Sequence, residues 1–193
     1  MDFESGLPAL RLDANSATLQ PKISLNGDRP ISGSHDLLVS AILRGGDAPG
    51  WTSVWLPLAD NRSMDVRAAI GIRFKARSTV ARQFTLMLDS DVYPTPAARL
   101  ALTFHLAAGT SEYSVYFHQF AYPQKLSQPG GLCSIEAGGT ALCNVRSVEV
   151  LGRLRALHGF LVPRTNALGA LPADTALIQL DDLRLLFDDD LLL

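Results

Sequence analysis

The chain has 193 residues, 47% of them apolar, and a formal net charge of −2. That is enough apolar material for a full core, while 17 lysines and arginines scattered among 19 acids leave no basic run to hold a nucleic acid. No apolar stretch reaches the ~18 residues that a membrane-spanning helix needs, so a helical span is excluded.

Read in order, the chain opens on Met1-Asp2-Phe3-Glu4, which is acidic and lacks an apolar signal core. A secreted or cell-surface protein whose leader has been removed is the expectation, with a cytoplasmic protein as the alternative. Over residues 7–26 the positions of Leu10, Leu12, Leu19, Ile23 and Leu25 suggest short strands, and Gly27-Asp28-Arg29-Pro30 reads as a turn. Asp36–Leu43 is a strand, stopped by Gly45-Gly46. Residues 51–58 alternate, with Thr52, Val54 and Leu56 on one face and Trp51, Ser53 and Trp55 on the other; Pro57 marks an edge or a strand end.

The firmest period-2 signals follow. Ile70, Ile72, Phe74 and Ala76 alternate with Gly71, Arg73, Lys75 and Arg77, and Phe84, Leu86 and Leu88 alternate with Thr85, Met87 and Asp89. Each stretch has one apolar and one polar face, as a half-buried antiparallel strand does. Leu100, Leu102, Phe104 and Leu106 repeat the pattern with Thr103 and His105 outward, and residues 112–120 set Tyr113, Val115 and Phe117 against Ser114, Tyr116 and His118. Residues 121–144 read as a loop in which Cys133 and Cys143 bracket Gly138-Gly139. A turn there brings the two sulfurs across a short loop, either as a disulfide, which implies export, or as two free thiols. Residues 145–157 read as a strand or a short helix, 157–162 as a strand, 163–174 as a loop and 176–187 as the closing strand.

No capped helical period occurs anywhere. Many short strands between Gly/Pro turns argue an all-β fold, an antiparallel β-sandwich of jelly-roll type. It forms one domain over residues 1–187, with 188–193 as a tail outside the core. The closing strand carries Asp181 and Asp182 side by side, so one of them faces inward and needs a cation or several donors. Residues 2–6 are the expected neighbour of that strand.

The order of these segments is familiar: Asp2-Phe3-Glu4-Ser5-Gly6, a strand after Gly33-Ser34, a Trp-bearing strand, Ile70-Gly71-Ile72-Arg73-Phe74-Lys75-Ala76-Arg77, Glu112 to Phe120, and a closing Ile178 to Leu185. It resembles the galactose-binding-like jelly rolls, which include many carbohydrate-binding modules of polysaccharide-degrading enzymes. It is also similar to the complex I intermediate-associated proteins. The resemblance implies a structural calcium, with Glu4 and Asp181 as the matching acids and loop carbonyls near residues 26–34 completing the shell. It departs at Tyr113, where the family often has Trp, and in the Cys-bearing loop, which reads as an insertion.

Sugars are bound by aromatic faces and by planar polar side chains that pair with hydroxyls. The polar-face candidates are Trp51, Trp55, Arg73, Lys75, Asp89, His105, Tyr116 and His118, with Thr85, Met87, Tyr93 and Tyr122 beside them. A cleft lined by Arg73 and Lys75 would select an anionic glycan. Hydrolysis needs two carboxylates across a cleft, and Asp89 is the one acid placed on a polar strand face. Tyr116, His118, His105 and Arg73 are the residue types of a lyase, without a lyase motif. The sequence therefore points to a non-catalytic module that binds a glycan or polysaccharide through a polar sheet face or end loops, attached to a catalytic domain. A protein-interaction or assembly module and a small lyase or hydrolase are the alternatives.

Overall fold

A computed structural model describes residues 10–47, 49–58, 62–92, 100–120, 149–163 and 173–191. Ten strands lie within them: β1 (Arg11–Ala14), β2 (Thr18–Asn26), β3 (Asp36–Leu43), β4 (Thr52–Pro57), β5 (Gly71–Ser78), β6 (Arg82–Ser90), β7 (Leu100–Leu106), β8 (Gly109–Tyr116), β9 (Leu154–Leu161) and β10 (Asp174–Leu186). They form two five-stranded antiparallel sheets. The first has the order β1-β4-β9-β6-β7 and the second β2-β3-β10-β5-β8. The all-β sandwich expected from the period-2 pattern is the fold observed.

Alternation sets the core. Leu37, Val39, Ala41 and Leu43 of β3, Ile72, Phe74 and Ala76 of β5, Phe84, Leu86 and Leu88 of β6, and Ala176, Ile178 and Leu180 of β10 are all buried between the sheets. Phe84 and Phe104 from the first sheet meet Phe74 and Tyr113 from the second, with ring centroids 5.5–6.5 Å apart. Such tilted and stacked pairs add to the burial of their area. The Tyr113 hydroxyl accepts the Ala107 N–H at 2.7 Å, which fastens the crossing from β7 to β8. The crossing from β1 to β2 is fastened by Asn15, whose side chain donates to the Pro49 carbonyl at 3.0 Å and accepts the Trp51 N–H at 3.1 Å.

Gly159 of β9 is a close approach of a strand to a ring. A Cβ there would stand 2.6 Å from Cζ of Phe84 and 3.1 Å from Cγ1 of Val54. Gly159→Ala should therefore overpack the core and cost about 1–3 kcal/mol, read as a lowered urea midpoint with an unchanged slope. An unchanged midpoint would mean that Phe84 moves aside without cost.

Two expectations are corrected in detail. The strand over 112–120 ends at Tyr116, and Phe117–Gln119 form a 3₁₀ turn. The Phe117 N–H is taken by the Ile70 carbonyl at 2.9 Å, and the Gln119 side chain accepts the Tyr116 N–H at 2.8 Å. His118 thus sits on a turn, stacked on Tyr116 at 5.7 Å, and not on a strand. Within 145–157 both readings apply in part: residues 149–152 make one helical turn, and β9 begins at Leu154.

The second correction concerns Asp181. It is buried, 3% exposed, but not in the core between the sheets. It pairs with Lys75 and so lies on the outer face of the second sheet, where the loop between β2 and β3 folds over it. A β-bulge between Asp181 and Arg184, with Asp182 at φ 49°, bends the strand there. Asp182 turns outward to Lys75, 3.4 Å away. The segment 2–6 expected beside this strand, with Glu4, lies outside the described residues, as do Cys133 and Cys143. Residues 188–191 continue β10 as a 3₁₀ turn.

Candidate functional site

The registers place the polar-face residues in rows. Across the outer face of the first sheet run Arg11, Trp55, His158, Met87 and Ala101, and beside them Asp13, Ser53, Phe160, Thr85 and Thr103. Trp55 is half-buried, and its indole edge meets the His158 ring at 6.3 Å and 80°. The Arg11 guanidinium stands 5.7 Å from the Trp55 ring centroid. Trp51, just ahead of β4, stacks on Phe160 with centroids 5.3 Å apart. Thr85 and Thr103 share a hydrogen bond of 2.8 Å between their hydroxyls. His105, opposite Gln83, is exposed at the β7 edge of the same face. This face carries two aromatic groups, one around Trp55 and one around Trp51, flanked by hydroxyls and imidazole.

Asp89 holds the Trp55 end of the face in place. It is 1% exposed, and its Oδ2 accepts the Trp55 indole N–H at 3.4 Å and an Arg155 N–H at 3.1 Å, with His158 Nε2 at 4.0 Å. Arg155 also lies 3.4 Å from Asp91, which accepts the Ser63 hydroxyl. A carboxylate so engaged orients the side chains around it. The half-exposed Arg155 is the polar group that this cluster presents outward.

The other sequence candidates lie elsewhere. Arg73, Lys75 and Tyr116 face outward from the second sheet, opposite Ser114, Glu112 and Gly71 of the neighbouring strand. Arg73 lies 3.5 Å from Glu112. The structure therefore brings together Trp51, Trp55, Asp89 and His105, and separates them by the thickness of the sandwich from Arg73, Lys75, Tyr116 and His118. Tyr93 and Tyr122 lie outside the described residues. Arg11, Arg155, His158 and Phe160 join the outer face of the first sheet without a sequence signal that marks them. His158 and Phe160 sit in the run Leu157-His158-Gly159-Phe160-Leu161, where an outward imidazole is not distinguishable from a sheet-filling one.

On the outer face of the second sheet the β2–β3 loop is tied down. Asp36, 0% exposed, accepts N–H groups from Asn26 at 3.1 Å, Ile31 at 2.8 Å and Gln179 at 3.2 Å. Asp181 accepts the Ser32 N–H at 3.0 Å, the Ser32 hydroxyl and the Asp182 N–H at 2.8 Å. Arg77 donates to the Arg29 carbonyl at 2.7 Å. The loop so pinned covers part of this face and leaves the first sheet as the face with aromatic side chains in rows.

No family model and no curated protein matches the sequence. Solved structures match the fold. A family 11 carbohydrate-binding module from Clostridium thermocellum, in complex with a β-1,3-1,4-mixed-linked tetrasaccharide, superposes with a TM-score of 0.64 at 13% identity over 97% of this chain and 94% of that one. A family 30 module of a cellulosomal cellulase of Clostridium thermocellum gives 0.56 at 9% identity over 87% and 83%. An exo-β-agarase gives 0.55 at 11% identity, with 97% of this chain matched to 24% of that one. The chain has the jelly-roll β-sandwich of carbohydrate-binding modules.

Proposed function

We propose that this chain is a non-catalytic carbohydrate-binding module that binds a glycan on the outer face of the first sheet. One observation carries the reading: Trp55, held by the buried Asp89, and Trp51, stacked on Phe160, share one sheet face with the threonine hydroxyls and Arg155. Aromatic rings stack on the C–H faces of sugars, while hydroxyl, amide and guanidinium groups pair with sugar hydroxyls. Arg11, exposed beside Trp55, can swing off the ring as a sugar arrives. Binding fits better than hydrolysis because Asp89 and Asp91 both engage Arg155 from one side and do not oppose each other across a cleft. The agarase match, over a quarter of that protein, supports a role in holding an attached catalytic domain at its polysaccharide.

The test is a glycan-array screen of the purified protein in calcium and in chelator. A specific hit on neutral oligosaccharides is expected, because Arg73 and Lys75 lie on the opposite sheet. Absence of binding across a broad array would overturn the reading in favour of a protein partner.

A further inference from the structure

We propose that the guanidinium of Arg77 is the resident cation of the β2–β3 loop, in the place where a jelly roll of this kind would hold calcium, so that this end of the sandwich is secured without a divalent metal. The inference is independent of what the protein binds.

The sequence resemblance implies calcium between Glu4, which lies outside the described residues, Asp181 of the closing strand and loop carbonyls. Calcium takes six to eight oxygens with their lone pairs turned toward it. The described oxygens that would serve are committed to donors instead. Both oxygens of Asp36 accept N–H groups, and both oxygens of Asp181 accept N–H or O–H groups. The Arg29 carbonyl accepts from Arg77 at 2.7 Å and from Gln179 at 3.1 Å, and the Pro30 carbonyl accepts from Arg77 at 3.5 Å. Each of these oxygens already has a lone pair engaged by a donor, and the guanidinium of Arg77 brings a positive charge to the loop carbonyls, so the described residues do not fit the ion.

Arg77 has the geometry to replace it. Its planar fork reaches two carbonyls of the loop while Nε donates to Thr110 of β8 at 2.7 Å. A guanidinium suits this task because its donors diverge at fixed angles and its charge persists at any working pH. Gln179 extends the link inward. Its Oε1 accepts from Arg77 at 3.2 Å, and its Nε2 donates to both oxygens of Asp36. One side chain thus connects β8, β10 and the loop, and through Gln179 it is linked to the buried carboxylate of Asp36, 0% exposed, a group that is costly to bury without donors.

Melting of the full chain in calcium and in chelator tests this, for the wild type and for Arg77→Ala. The wild type is expected to melt within about 1 °C in the two buffers, and Arg77→Ala about 5–10 °C lower in both, given the hydrogen bonds to a charged group that it loses. Should Arg77→Ala not fold, Arg77→Lys keeps the charge without the fork and should melt roughly 2–5 °C below the wild type. A calcium-dependent rise in wild-type melting that vanishes in Asp36→Asn or Asp181→Asn would overturn the proposal. So would an Arg77→Ala protein that melts with the wild type.

Discussion

Arg82→Met should lower stability by about 3–5 kcal/mol. The Arg82 side chain is 0% exposed and its partner Asp174 is 3% exposed, 3.0 Å away. A second N–H bond reaches the Thr175 carbonyl at 3.1 Å. Arg82 opens β6 in the first sheet and Asp174 opens β10 in the second, so the pair ties the two sheets at one end of the sandwich. Removing the guanidinium takes away the positive charge 3.0 Å from a buried carboxylate. Replacing both, as Arg82→Met with Asp174→Leu, should recover most of the loss, because a buried pair contributes little beyond an apolar filling of similar volume. Thermal melting and urea denaturation read the result, and a melting temperature ~10 °C lower is expected for the single variant. Arg73→Ala, which breaks a half-exposed pair with Glu112, should cost less than about 1 kcal/mol. Equal losses in the two single variants would contradict the ranking.

Trp55→Ala should reduce glycan affinity about 30- to 100-fold, as loss of a central aromatic contact does. Tyr116→Ala should leave it unchanged. The contrast follows from placement, since the Trp55 row lies on the first sheet and Tyr116 on the second. Isothermal titration with the best array ligand measures both. Far-UV circular dichroism and the urea midpoint must show each variant folded, because Trp55 is half-buried. Asp89→Asn should give an intermediate loss: the indole keeps an acceptor, while Arg155 loses the nearer of its two carboxylate partners and keeps Asp91. Weakened binding in Tyr116→Ala alone would move the site to the other sheet.

Much of this architecture is legible in the residues. The alternation of β3 and β7 marks their bounds to the residue, because each ends where glycine or a crossing interrupts it. β8 is overrun in a sequence reading because Tyr113, Val115 and Phe117 keep the period. What stops the strand is the Ile70 carbonyl, more than 40 positions away in sequence. The site divides along the same line. Alternation distinguishes inward from outward, and every candidate on a strand does face outward. It carries no information on which sheet a strand joins, so Trp55 and Tyr116 look equivalent until the pairings are known. Asp181 illustrates the limit from the other side. Two adjacent acids in a strand signal burial of one, but a loop about 150 positions earlier supplies the cover.

The strand order has a further consequence for how the chain reaches this state. β9 inserts between β4 and β6, and β10 inserts between β3 and β5. Both sheets therefore stay split until the final strands have been made. During synthesis, β3, β4, β5 and β6 each wait with an unpaired edge, which is the feature that invites pairing with other chains. The aromatic cluster between β5 and β8 can gather early, since its members lie close in sequence. Among the described strands, its two halves are joined to the rest of each sheet by β9 and β10. Acquisition of the native fold is thus slow, as non-local pairing dictates, and a nascent chain stalled before β10 is a template for aggregation.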